Sequence, residues 1–584
     1  MYLENIKKPE DIKSLSSEQL KNLADEMREL LIKKVSTHGG HFGPNLGMVE
    51  ATIALHYVFD SPKDKMVYDV SHQTYCHKML TGRAYGFLDE NRYDDITGYS
   101  CPEESEHDFF TVGHTSTSIS LASGLVKARE LKKEQGNVIA IIGDGSLGGG
   151  EALEGLNTAV ELDSNFIIIV NDNDMSIAEN HGGLYGNLKL LRDTDGKAEC
   201  NLFKAVGLDY VFVKNGNDID ELIKAFKLVK DSKKPVAVHI CTQKGMGYKP
   251  AQDDRETFHW TMPFDTKTGK PLVNFEGEDY GTLTADYLLE KMKKDEKIVA
   301  ITAGTPAVMG FIPEKRKLAG KQFVDVGISE ETAVAMASGI AKGGAKPVFG
   351  VYSTFMQRTY DQIAQDLCIN KNPATMVVFC ASVYGMSDVT HVGFYDIPMI
   401  SNIPELVYLA PTSKEEYFAM LDWSIEQNKY PVAIRVPENG VISSDRPVKT
   451  DYSELNKYEV AQEGSKVAII AVGSFFELGK KTACELENKL GVKPTLVNPI
   501  YLTGLDSELL ESLKTEHDIV ITLEDGCIEG GFGQKIASYY GKDSMKVLNY
   551  GLKKQLYDRY DINTVLKENH LTSEQITEDI KQIL

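Results

Sequence analysis

An apolar run that ends in a glycine-rich turn constrains this chain more than any other feature. Val138 to Ile142 reads as a buried strand, and it runs directly into Gly143-Asp144-Gly145-Ser146-Leu147-Gly148-Gly149-Gly150 and a helical pattern from Glu151. Glycines at such a turn let backbone amides approach a phosphate at a helix N-terminus, and an Asp at a strand end can meet a hard cation. A second apolar run, Phe166 to Val170, ends in Asn171-Asp172-Asn173-Asp174-Met175-Ser176. On neighbouring parallel strands, Asp144, Asn173 and a backbone carbonyl share one sheet edge, a donor set that suits Mg²⁺ carrying a diphosphate. Alone, the first motif is an ordinary strand-to-helix turn; the second makes the pair specific.

Further β-branched runs lie beside helical stretches at Ile298 to Thr302, Thr375 to Phe379, Val467 to Val472 and Ile519 to Leu523. That alternation predicts mostly parallel sheets covered by helices. The polar stretch Lys267 to Tyr280 and the turn-rich stretch Pro437 to Asp451 divide the 584 residues into three α/β units, expected at 1–275, 276–445 and 446–584. With 63 Lys and Arg against 85 Asp and Glu, the net charge is −22, which argues against a nucleic-acid partner. It does not forbid a phosphorylated ligand, which local amides, His, Lys or a metal can hold. The first residues lack a cationic stretch followed by an apolar core, and no run approaches the roughly 18 apolar residues of a membrane helix. The expectation is a cytoplasmic protein with no membrane partner. The eight cysteines are scattered without a CxxC pair, so reduced thiols are expected in place of a zinc site or a disulfide framework.

The two strand-end motifs have companions. These include Gly40-His41-Phe42, Asn45-Leu46-Gly47, Tyr68-Asp69-Val70-Ser71-His72 through Lys78, Val112-Gly113-His114-Thr115-Ser116, Thr257-Phe258-His259 and Tyr352 through Arg358. With them the sequence resembles the 1-deoxy-D-xylulose-5-phosphate synthase family of the transketolase-like superfamily over nearly its whole length. The resemblance implies three α/β domains of transketolase-like architecture, thiamine diphosphate and Mg²⁺ as cofactors, and a homodimer. It implies Asp144, Asn173 and Met175 as metal ligands, with His72, Gly113, His114, Thr115, Gly143, Gly145 and Ser146 near the diphosphate and Phe355 on the pyrimidine. Thiamine chemistry starts with loss of the thiazolium C2 proton, which a carboxyl group beside the aminopyrimidine assists. The family's carboxyl falls on Glu330 of Gly327-Ile328-Ser329-Glu330-Glu331-Thr332. His41, His259 and His391 are implied as active-site histidines, and Tyr352, Arg358 and Asp388 as substrate contacts. His38, His56 and His107 lie outside these motifs and are read as structural.

The resemblance breaks at the residues implied to grip an acceptor phosphate. One family Arg belongs to an Asp-Arg-Ala-Gly segment, and the corresponding region here reads Phe379-Cys380-Ala381-Ser382-Val383, which holds no Arg. In Arg435-Val436-Pro437-Glu438 a first Arg survives and a second aligns with Glu438. Replacing cations by a neutral residue and a carboxylate removes charge-assisted hydrogen bonds to a dianion. The expectation is retained cofactor chemistry with altered acceptor recognition; the alternative is that other cations, such as Arg358 or a nearby Lys, replace the lost pair. The segment after Glu179-Asn180 is also short for the family, which predicts a more open or altered cleft. Gly-rich Leu523 to Gly533 is read as a tight turn between strand and helix.

The expected reaction decarboxylates pyruvate, a 2-oxo acid, and adds the two-carbon unit to an aldehyde such as glyceraldehyde 3-phosphate. The alternatives are a ketose donor with no CO2 release, an unphosphorylated acceptor, or a cofactor-binding regulator without turnover. Glu330 argues against the last, because a regulator has no need of an activating carboxyl.

Overall fold

The computed structural model describes residues 2–273, 277–444 and 446–584, so the expected domain junctions at 275–276 and 445 lie outside the described residues. Two compact units emerge, one of Met1–Glu276 with Gly327–Ser329, the other of Gly277–Val326 with Glu330–Leu584.

The first unit is built on a five-stranded, all-parallel sheet in the spatial order Lys65–Tyr68, Val138–Gly143, Phe166–Asp172, Pro235–Cys241 and Asp209–Val213. Successive strand side chains go to opposite faces. Ile139, Ile141, Ile167 and Ile169 accordingly pack with Leu55, Leu222 and Phe226 of the helices Val49–Val58 and Ile219–Val229. Val138, Ala140, Ile142, Phe166, Ile168 and Val170 pack on the other side with Ile119, Val126, Leu156, Leu188 and Leu191. Burial on both faces is why these strands read as continuous apolar runs. The register pairs Gly143 with Asn171, so the two polar motifs begin at the same level, at the carboxyl ends of adjacent strands. Beside this sheet, Gly40–His41 pairs antiparallel with Trp260–Thr261.

The second unit contains two sheets. One has six parallel strands, ordered Val407–Leu409, Val432–Arg435, Thr375–Phe379, Lys346–Tyr352, Ile298–Thr302 and Phe323–Asp325. The other is ordered Glu459–Gln462, Thr495–Asn498, Lys466–Ala471, His517–Cys527 and Lys546–Leu552, with the first pair antiparallel and the rest parallel. The Gly-rich segment is the expected turn only in part: Leu523 through Cys527 extend the strand His517–Cys527, and the turn itself is Ile528 through Gly531 before the helix Phe532–Tyr540. Buried Glu524 accepts from the amides of Phe532 (2.8 Å) and Gly533 (3.0 Å), closing the loop onto the helix Phe532–Tyr540. All eight cysteines are free. Among the described residues no helix is long and apolar enough to cross a membrane.

Candidate active site

In the first unit the two strand-end motifs converge. Asp144 opens the short helix Asp144–Leu147 and is buried; its Oδ2 accepts from the Met175 amide at 3.1 Å and from Asn180 Nδ2 at 2.7 Å. Burial, with the nearby Asp172 carboxylate, raises its pKa to about 7. Asp174 holds the loop's left-handed turn at φ 59°. A Cβ on Gly145 would fall 2.7 Å from Ser176 Oγ, so that glycine lets the two motifs close on each other.

A neighbouring loop carries Gly113, His114 and Thr115, and buried Asp69 fixes it by accepting from the amides of Ser116 (2.8 Å) and Ser118 (2.9 Å). Ser116 Oγ then donates to the Ser146 carbonyl at 2.8 Å, joining this loop to the glycine turn. Just after the first strand, Val70 and Ser71 sit at φ 57° and 63°. A β-branched residue there is strained, and such strain is held where the surroundings over-determine the backbone. The bend delivers His72 beside His41 and His259, with ring centroids 4.9 Å (His41–His72), 5.2 Å (His72–His259) and 5.7 Å (His41–His259) apart. Asn45 holds the cluster, donating to the carbonyls of His41 (2.9 Å) and His72 (2.8 Å) while accepting from the Tyr75 amide (2.9 Å). Burial, then the charges of Lys244, His72 and His41, keep His259 neutral, well below its ordinary pKa. Lys244 is itself buried, donates to the Ser176 carbonyl at 2.7 Å, and is pushed down to about 7 by desolvation.

In the second unit, Glu330 begins the helix Glu330–Lys342 and is 3% exposed. Burial lifts its carboxyl to about 7 against the lowering field of Arg358, whose Nη1 lies 3.9 Å from Oε2. Phe355 packs edge-on to Tyr352 and to His391, each at 5.7 Å between centroids. Thr390 Oγ1 lies 2.8 Å from His391 Nδ1, and Asp388 Oδ1 accepts from Thr390 Oγ1 at 2.6 Å. Burial would raise Asp388, but hydrogen bonds from His391 and Thr390 outweigh it and hold the carboxylate low. Asn173 Oδ1, Asn180 Oδ1 and His259 Nδ1 in the first unit, and Glu330 Oε2 in the second, are buried with no hydrogen-bond partner among the described residues. A buried polar atom left so is completed by an ordered water, an ion or a ligand, or stores strain.

Three family models cover most of the chain. "1-deoxy-D-xylulose-5-phosphate synthase" matches residues 3–199 and 194–242, "Transketolase, pyrimidine binding domain" 277–442, and "Transketolase, C-terminal domain" 456–576. The 1-deoxy-D-xylulose-5-phosphate synthase of Lachnoclostridium phytofermentans is 37% identical over 99% of this chain and 98% of its own length. The synthase of that name from Clostridium acetobutylicum is 37% identical over 99% of both chains, and that from Caldanaerobacter subterraneus subsp. tengcongensis 38% over 99% of both. The chain belongs to the 1-deoxy-D-xylulose-5-phosphate synthase family. It is a thiamine-diphosphate-dependent transferase that forms carbon–carbon bonds, and its family membership implies Mg²⁺ as well.

Against that family, two local features stand out. Arg435 is buried, with Nε donating to Asp396 Oδ2 at 2.7 Å, Nη2 to Asp396 Oδ1 at 3.2 Å and Nη1 to Asp525. Its donors are committed to the interior. Glu438 Oε1 instead accepts from the Cys380 amide at 2.6 Å, and burial lifts its carboxyl to about 7. Cys380 follows the strand Thr375–Phe379 at φ 54°. The second feature is the short segment after Asn180, which does not simply leave a gap: it forms the helix Gly183–Asp193, packed by Leu188 and Leu191 onto the sheet. Sequence reasoning passed over Asn45, Asp69, Lys244 and Arg192. Asn45 and Asp69 lay within matched motifs, whereas Lys244 and Arg192 carried no local signal.

Proposed function

We propose that this synthase-family chain takes pyruvate as its two-carbon donor and passes the unit to an aldehyde, favouring acceptors without a phosphate. One observation carries the catalytic part: Glu330 is a buried carboxyl near neutrality whose Oε2 has no hydrogen-bond partner among the described residues. Such a group can hold a proton against a ring nitrogen and return it. When bound, thiamine diphosphate supplies the acidic carbon and electron sink that decarboxylation and carbon–carbon bond formation require.

The residues fit that group. Asp144, Asn173 Oδ1 and the Met175 carbonyl offer the hard oxygen donors Mg²⁺ prefers. Gly143, Gly145, Ser146, His72, Gly113, His114 and Thr115 would receive the diphosphate, and Phe355 the pyrimidine face. His259, held neutral, can accept a proton or donate its N–H to a substrate oxygen, with His41 beside it and His391 as the corresponding imidazole of the second unit. Tyr352, Arg358 and Asp388 would orient substrate. The family models at 277–442 and 456–576 support a three-domain division, and the resemblance supports a homodimer, for which light scattering should give twice 64.7 kDa.

The acceptor preference rests on Arg435 and Glu438. With the Arg435 fork bound to Asp396 and Asp525, this sheet edge offers a phosphate dianion no guanidinium, and Glu438 adds repulsion in its ionised form. The test supplies thiamine diphosphate, Mg²⁺ and pyruvate and follows CO2 release and product mass with glyceraldehyde 3-phosphate and with unphosphorylated aldehydes. CO2 release with higher kcat/KM for unphosphorylated aldehydes is expected. A strong preference for the phosphorylated aldehyde would overturn the acceptor reading, and absence of CO2 the donor reading.

A further inference from the structure

The helix Gly183–Asp193 touches both motifs assigned to the cation. At one end the Tyr185 hydroxyl donates to the Gly145 carbonyl at 3.2 Å, and a Cβ on Gly148 would fall 2.5 Å from that hydroxyl. At the other end Arg192 Nη1 lies 2.7 and 2.6 Å from the two oxygens of Asp172, and Nη2 lies 2.6 Å from Asp174 Oδ1. Asp172 is fully withdrawn from solvent and is also met by His239 Nε2 at 2.9 Å. Residues seven apart return to one face of a helix two turns on. Tyr185 and Arg192 share that face, with Leu188 buried between them. The Arg192 fork therefore straddles Asn173, and the Tyr185 hydroxyl fixes the residue after Asp144.

We propose that Tyr185 and Arg192 are positioning residues for the divalent cation, the helix acting as a strap that sets the distance between the Asp144 turn and the Asn173 loop. This rests on the assignment of Asp144 and Asn173 to Mg²⁺. The physical reason is preorganisation. Asn173 Oδ1 has no hydrogen-bond partner among the described residues, so its place is set by its backbone, which Arg192 holds from both flanks and Arg255 from the Asn173 carbonyl at 3.1 Å.

The experiment titrates Mg²⁺ into the full-length protein with thiamine diphosphate and reads cofactor binding by calorimetry, alongside melting of the protein without cofactor. Tyr185→Phe removes one hydroxyl and should raise the half-saturating Mg²⁺ concentration several-fold without changing that melting point. Arg192→Lys keeps the charge but loses the fork and should raise it on the order of tenfold. Excess Mg²⁺ should restore full cofactor binding in both. In the double variant the effect should fall short of the product of the two, because one helix transmits both. If the wild type binds cofactor in a Mg²⁺-dependent way and both variants match it, the strap is refuted while the cation assignment stands. A wild type indifferent to Mg²⁺ would overturn both. Weaker binding that excess Mg²⁺ does not restore would also refute the strap, since it would mark a general loss of structure.

Discussion

Arg435 grips Asp396 through two hydrogen bonds, 2.7 and 3.2 Å long, in the interior of the second unit. The same guanidinium meets Asp525, and all three side chains are buried. The Arg that survives three residues before Glu438 is thereby part of a structural ion triad. Replacing Arg435 by Met should destabilise the protein by about 3–5 kcal/mol, because two carboxylates would stay buried without their cation. Urea unfolding of the two proteins checks this. A variant as stable as the wild type would show that the triad contributes little.

Glu330→Gln should abolish CO2 release from pyruvate while thiamine diphosphate still binds, as read by calorimetry. Unchanged turnover would refute the role given to Glu330.

The same substitution has a stability signature. The carboxyl titrates at 4.5 ordinarily and at about 7 in the fold, so between these values the folded state holds the extra proton. The stability linked to Glu330 is therefore present below pH 4.5 and is lost as pH rises through about 7. Without cofactor, Glu330→Gln should be more stable than the wild type at pH 8 by about 3 kcal/mol, from 1.36 kcal/mol per pKa unit. The difference should vanish near pH 4.5. Urea midpoints at the two pH values test it, and a constant difference would place the carboxyl's pKa elsewhere.

Glu438→Arg should raise the ratio of kcat/KM for glyceraldehyde 3-phosphate over an unphosphorylated aldehyde by roughly tenfold or more, since repulsion becomes a charge-assisted contact. CO2 release from pyruvate alone should be little affected. An unchanged ratio would remove Glu438 from acceptor recognition.

Asp69→Asn should weaken thiamine diphosphate binding by about tenfold, because an amide offers one acceptor oxygen where the carboxylate serves the Ser116 and Ser118 amides with two. A buried amide left unpaired costs about 1–3 kcal/mol, and here that strain falls on the loop of Gly113, His114 and Thr115. Calorimetric titration of the cofactor at fixed Mg²⁺ gives the answer.

Local chemistry made much of this protein readable from its residues. Strands buried on both faces show as apolar runs, which is why Val138 to Ile142 and Phe166 to Val170 lie within strands that end at Gly143 and Asp172. Glycine turns and the Asn-rich strand end carry their geometry in sequence order, and the ordered motifs placed the chain in its family. Side-chain commitments are different, because they depend on partners far away in the chain. Arg435 carried no sign of its partners in the sequence until folding set it against Asp525, 90 residues on. Arg192 sat in a segment noted only for being short, and acquired meaning when helix formation put it two turns from Tyr185 and against Asp172. Lys244 and Asn45 likewise gained their roles from the carbonyls of Ser176, His41 and His72. The amino-acid order determined which elements form and which turns can meet a ligand; tertiary packing alone decided which charges are spent inside the fold, because burial and pairing belong to the assembled structure.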